Sequence, residues 1–263
     1  MLLILFTLMV CACEGTVIDD DTLSVLDEEE IVAEDSTVFV PRPIIAHRGY
    51  HSGKAYPANS VAAFKRALLL NDIYGTEFDV RETADGLLVI CHDATHAGLS
   101  VEENTYATLS EHLLTNGEPL PLLADMLDVY LQTETHVKLI IELKLCNVEK
   151  VVKMVNDRQL GKQAEYISFN RSYCEKLASM GLGKVTSYLG GNMSPADVAR
   201  AQIGGIDYKF SVLEIYTNWI YEAKALGLKT IVWTVNDKNM VKDFIDKGVI
   251  VTTDFPEIDK STE

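Results

Sequence analysis

From Ile44 onward the sequence alternates short β-branched apolar runs with segments of helical period, and few architectures accept that pattern. The runs cover residues 44–47, 76–80, 139–143, 166–169, 185–189, 206–210, 230–235 and 249–253. Helices between them have readable ends. Asn59 or Ser60 opens one that carries Val61, Phe64, Ala67 and Leu68 on a single face, and Pro121 suits the first turn of another carrying Leu123, Met126, Leu127 and Tyr130. Ser194-Pro195 opens a further helix, and Gly227 and Gly248 follow the last turns of two more. Each run is therefore expected to have a helix after it, as in parallel strands joined by helical crossovers.

A ninth run, residues 87–91, breaks the alternation. The linker 81–86 is too short for a parallel crossover, which needs about a dozen residues, so this run turns back antiparallel. Asp85-Gly86 between two apolar runs is a strong signal for such a hairpin. Treating the return and the loop up to Pro119 as an insertion (about residues 81–119) leaves eight β/α units across about 213 residues. That matches an α/β fold of the (β/α)8 TIM-barrel type. A doubly wound open sheet is the alternative, but no Gly-rich phosphate loop follows the first strand.

Ahead of the barrel, residues 1–13 are an apolar run too short to cross a bilayer as a helix, which reads as a signal peptide. Val10-Cys11-Ala12-Cys13 further resembles a bacterial lipoprotein box, although no Lys or Arg precedes the run. Cys13 would then carry a lipid anchor, and the protein is expected to be exported and held on a bacterial membrane, facing the periplasm or cell surface. An ordinary secretory signal cleaved nearby is the alternative.

Residues 14–43 read as an acidic tether and 44–263 as the barrel domain. Of the net charge of −16, ten acids precede the first basic side chain, Arg42, which leaves −6 for the rest. An acidic chain without a basic stripe excludes nucleic acid as the expected partner. Cys91, Cys146 and Cys174 are scattered without zinc spacing and read as buried free thiols.

In a TIM barrel, chemistry occurs at the carboxyl ends of the strands, and there the unusual polar residues gather. His47-Arg48-Gly49 closes the first run, Glu77 and Asp79 lie in the second, and Glu142-Leu143-Lys144 ends the third. Trp233-Thr234-Val235-Asn236 ends the seventh and Thr253-Asp254 the eighth. Residues i and i+2 of a strand share a face, so Glu77 and Asp79 point together, and the hairpin return brings His92 back towards them. The bland alternative is a solvent-facing hairpin, but Glu142 sits inside an apolar run expected to be covered on both faces.

Carboxylates gathered at one mouth need a cation or a proton, since two about 4 Å apart repel by roughly 4 kcal/mol at an effective dielectric of 20. All-oxygen ligands favour a hard ion, Ca²⁺ or Mg²⁺. His47 and His92 are then better placed as general acid and base, and Arg48 and Lys144 as donors to an anionic oxygen. Arg48 and Lys144 also suit a purely structural role beside the carboxylates. Trp233 is either core or an apolar wall, and Asn236 suits a helix cap. His51, His96, His112 and His136 read as loop or surface residues without a role. The set fits phosphoryl chemistry on a phosphodiester.

His47 to Gly49, Glu77 and Asp79, Thr83 to Gly86, His92-Asp93, Glu142 to Lys144, Trp233 to Asn236 and Thr253 to Pro256 follow an order that resembles the glycerophosphodiester phosphodiesterases. The resemblance covers about residues 44–256. It implies a barrel with an insertion after the second strand and a small-molecule glycerophosphodiester substrate, hydrolysed to glycerol 3-phosphate and an alcohol. It also implies Glu77, Asp79 and Glu142 as Ca²⁺ or Mg²⁺ ligands, His47 and His92 as the acid/base pair, and Arg48 and Lys144 near the phosphate.

One departure stands out. Where the family reads Pro-Glu-Asn-Thr, this chain has Pro57-Ala58-Asn59-Ser60, so the acid near Arg48 is missing. The expected function is a metal-dependent phosphodiesterase of glycerophosphodiesters. The alternatives are the same chemistry on a sphingomyelin, lysolipid or phosphoinositide head group, and a weakly active phosphate-binding lipoprotein.

Overall fold

The reversal at Asp85-Gly86 is present and sets the topology. A computed structural model describes residues 39–260, so Cys13, the leader and most of the acidic tether lie outside the described residues. In chain order the strands are β1 (Arg42–Ala46), β2 (Ile73–Glu82), β3 (Leu88–Ile90), β4 (Thr95–His96), β5 (Leu99–Ser100), β6 (Lys138–Leu143), β7 (Ala164–Ser168), β8 (Thr186–Tyr188), β9 (Gly205–Lys209), β10 (Lys229–Trp233) and β11 (Ile250–Thr253). The parallel sheet order β1-β11-β10-β9-β8-β7-β6-β2 is closed by β1 pairing with β2, giving an eight-stranded barrel.

At ten residues, β2 outruns the barrel, and its end pairs antiparallel with β3 through Val80↔Ile90, Arg81↔Val89 and Glu82↔Leu88. Gly86, at φ +80°, completes the turn, while Asp85 Oδ1 accepts from Thr83 Oγ1 at 2.6 Å and from Tyr106 N at 2.9 Å. The insertion has its own small core of Val89, Cys91, Val101, Leu109 and Leu120.

Helices connect the barrel strands, with differences at their ends. Ser60, not Asn59, caps Val61–Leu68, its Oγ accepting from Ala63 N at 3.0 Å. Pro121 lies outside Leu123–Leu131, and its carbonyl accepts from Ile90 N at 2.8 Å. Asp237 rather than Asn236 caps Lys238–Asp246. Among the described residues no helix follows β11, contrary to the alternation. Arg42, two residues ahead of the expected first strand, ties that end of the chain down: it holds Asp72 through two bonds of 3.0 and 3.1 Å and also reaches Pro256 O and Asp259.

Two apolar layers follow from the period of two. Outward residues such as Phe78, Ile141 and Val232 pack under the helices, while Ile45, Ile140, Ile167, Leu189 and Ile231 fill the barrel. Each buried aliphatic side chain contributes about 1.5–3 kcal/mol. Gly75 makes room for one of them, because a Cβ there would lie 2.8 Å from Ile140 Cγ1. Towards the amino ends of the strands, buried Glu165 accepts from Tyr74 Oη at 2.6 Å and pairs with Lys229. The inner core thus separates this satisfied polar network from the opposite mouth.

Candidate active site

Register puts the acidic residues side by side. Asp79 and Glu142 are direct partners across β2 and β6, and Glu77 lies two residues before Asp79 on the same face. All three are buried, and one carboxylate oxygen from each lies within 4.8 Å of the others. Glu77 Oε1, Asp79 Oδ1 and Glu142 Oε1 accept no hydrogen bond of acceptable geometry. Three hard oxygens gathered this closely, Glu77 Oε1 without a partner and the other two facing only Lys144, fit a divalent cation, and these residues could hold one.

The surrounding groups fix the cluster. Asn59, at φ +62°, donates Nδ2 to Asp79 Oδ2 at 2.8 Å, so the residue expected near a helix start serves the carboxylate instead. Lys144 Nζ lies 2.6 Å from Glu142 Oε1 and 3.1 Å from Asp79 Oδ1. Burial and then the charge of Asp79 push Glu142 up to about 7, and Glu77 rises well above its ordinary range for the same reasons. Asp79 goes the other way: burial acts against ionisation, but Lys144, Asn59, His92 and Arg48 together hold it below the ordinary value.

After β1 the chain turns sharply through Arg48 at φ +53° and Gly49 at φ +80°. A left-handed arginine costs about 1–3 kcal/mol, and it aims Arg48 N at Glu77 Oε2, 2.8 Å away. No side chain replaces Gly49, since a Cβ would lie 2.8 Å from the Ala63 backbone. Arg48 Nε is buried without a hydrogen bond, 3.7 Å from Asp79 Oδ2. Arg48 and Ala58 line one shared depression, so the side chain beside Arg48 there is a methyl group.

Each histidine has an aspartate behind it. His47 Nδ1 lies 2.7 Å from Asp254 Oδ1, and His51 Nε2 lies 3.0 Å from the same oxygen, while Asn236 Nδ2 donates to Asp254 Oδ2 at 2.6 Å. Hydrogen bonds from His47 and then His51 hold Asp254 well below the usual carboxylate range. An ionised carboxylate only accepts, so His47 carries a proton on Nδ1 and turns Nε2 to the cavity chemistry. His92 Nδ1 lies 2.8 Å from Asp93 Oδ1, and burial lowers its pKa. Arg81 positions it, donating Nε and Nη2 to the His92 carbonyl at 3.2 and 3.0 Å.

His47, Arg48, Glu77, His92, Glu142, Lys144 and Trp233 line one cavity, and Asp79 sits immediately behind it. All eight side chains singled out in the sequence are thus brought together. Trp233 packs edge to face on Phe169 at 5.6 Å and donates Nε1 to Asp207 O at 3.0 Å. Asp254 stands in the sequence at the end of the eighth run with no role assigned and His51 as a loop residue without one, while Arg81 and the buried Asp207 carry no expectation at all. Asp207 had a signal, an acid inside an apolar run, as with Glu142. The others are joined only by folding; His51 and Asp254 stand 203 positions apart.

The profile of the glycerophosphoryl diester phosphodiesterase family matches residues 47–258. The chain belongs to that family and is an enzyme of its class. A glycerophosphodiester phosphodiesterase of Caldanaerobacter subterraneus subsp. tengcongensis is 30% identical over 239 residues, 81% of this chain and 94% of the relative. The crystal structure of a glycerophosphodiester phosphodiesterase from Parabacteroides distasonis is similar at TM-score 0.77 and 36% identity, covering 81% of this family member and 93% of that chain. A phosphodiesterase of Oleispira antarctica, solved with the product sn-glycerol 3-phosphate, shares the fold at TM-score 0.71 and 23% identity, covering 83% and 95% of the two chains.

Proposed function

We propose that this enzyme hydrolyses glycerophosphodiesters to glycerol 3-phosphate and an alcohol by two-histidine acid/base catalysis that depends on Ca²⁺ or Mg²⁺. The observation that carries the reading is the convergence of His47 and His92 with Glu77, Glu142, Arg48 and Lys144 on one cavity. The family membership and the named activities of the Caldanaerobacter and Parabacteroides relatives support it.

Arg48 and Lys144 neutralise the phosphate and orient it. One imidazole takes the proton of the attacking oxygen as its bond to phosphorus forms. The other gives a proton to the leaving alkoxide as the second phosphorus–oxygen bond breaks. The attacking oxygen belongs to water, or to a glycerol hydroxyl that gives a cyclic phosphate first. Glu77, Asp79 and Glu142 would hold the cation, which supplies Lewis-acid charge at the phosphate oxygens.

Incubating the purified protein with glycerophosphodiesters of several head groups and with intact phospholipids tests the substrate. Release of glycerol 3-phosphate from the deacylated diesters is expected, and turnover of intact phospholipids alone would reassign it. We also infer export and lipid attachment at Cys13 from residues 1–13. Cys13→Ser should move the protein from the membrane to the soluble fraction; an unchanged membrane fraction would contradict the anchor.

A further inference from the structure

Among the carboxylates lining the cavity, Glu77 and Glu142 belong to the cation cluster and Asp207 does not. Asp207 is 1% exposed, and both of its oxygens are buried without a hydrogen-bond partner. A buried polar group left unpaired costs about 1–3 kcal/mol, and more when charged. Its surroundings offer no relief in apolar Ile167 and Leu189, which line the same cavity, or in Ile231, its strand partner.

The barrel fixes where this carboxyl faces. β9 is four strands from β2 in either direction round the closed sheet, so Asp207 looks at Glu77 and Asp79 from the opposite wall. Its backbone is paired through β10 and accepts the Trp233 indole N–H at 3.0 Å, which locks the main chain beneath the Trp233–Phe169 ring pair. The group is rigid, aimed into the site and unsatisfied.

A phosphate held by Arg48 and Lys144 leaves its substituents to cross the cavity towards β9. Beside an ionised carboxylate a phosphate oxygen is disfavoured, whereas an alcohol hydroxyl donates to a carboxyl oxygen in either protonation state. The variable head group needs the open mouth. The small glycerol moiety, common to all glycerophosphodiesters, is the part that fits a closed, buried end.

We propose that Asp207 is a specificity-determining residue that accepts hydrogen bonds from the free hydroxyls of the substrate's glycerol moiety. This rests on the glycerophosphodiester reading above. It explains why a deacylated substrate would be required, because an acylated glycerol has no hydroxyl proton to give.

The test measures calorimetric binding of sn-glycerol 3-phosphate and of n-propyl phosphate, which lacks the hydroxyls, to the full chain in Ca²⁺. The wild type should prefer glycerol 3-phosphate by about tenfold to a hundredfold. Asp207→Leu should erase that preference while binding n-propyl phosphate within about twofold of wild type, and the isosteric Asp207→Asn should lie between.

No preference in the wild type, or a preference that survives Asp207→Leu, overturns the proposal. The outcomes are separable from failure of the enzymatic reading. A wild type that shows the binding preference without hydrolysis leaves Asp207 assigned and removes the activity, whereas hydrolysis with unaltered preference in both variants does the reverse.

Discussion

His47 Nδ1 and Asp254 Oδ1 stand 2.7 Å apart, which fixes the imidazole tautomer and leaves Nε2 as the reactive nitrogen. Asp254→Asn should therefore lower kcat by about 10²–10⁴, the range associated with losing one acid/base group, with KM little changed. His51→Ala removes only a neighbouring hydrogen bond at 3.0 Å and should cost far less. Steady-state kinetics of both variants checks the ranking, and equal losses would contradict it.

Glu142 makes stability depend on pH. Its carboxyl is raised from the ordinary 4.5 to about 7 by burial and then by Asp79, so its contribution is complete below pH 4.5 and is lost as pH rises through 7. Asp79 and Asp254, lowered from 3.8, act in a separate window: their contribution is present above 3.8 and lost at more acidic pH. In chelator, the thermal midpoint should fall between pH 4.5 and 7, and Glu142→Gln should flatten that slope. Saturating Ca²⁺ should flatten it too, since the ion takes the place of the proton. Identical slopes for wild type and variant would contradict the assignment.

Asn59 holds Asp79 through a 2.8 Å bond to its carboxylate. Asn59→Ala should cost about 1.5–3 kcal/mol in denaturant unfolding, as for other hydrogen bonds to charged groups. It should also weaken Ca²⁺ binding by about 10–100-fold, the usual effect of removing a side chain that orients a metal ligand. Stability lost without any change in Ca²⁺ affinity would make Asn59 a purely structural residue.

Much of this was legible because strand periodicity is a local property. Glu77 and Asp79 share a face by spacing alone, and the short linker 81–86 admits no geometry but a reversal. What was hidden depended on closure of the barrel. Asp254 meets His47 only because β11 pairs with β1, and Glu165 meets Lys229 and Tyr74 only across the barrel's lumen. Of the two residues offered for the helix start, Ser60 is the cap, and Asn59, at positive φ, serves Asp79 instead.

Metal dependence is the centre of the account, and chelation with metal add-back tests it most directly. Glycerol 3-phosphate release from a glycerophosphodiester should stop in chelator and return in the wild type when Ca²⁺ or Mg²⁺ is restored. Glu77→Ala and Asp79→Ala should remain inactive throughout. Turnover that persists in chelator, or normal hydrolysis by either variant, would contradict the account.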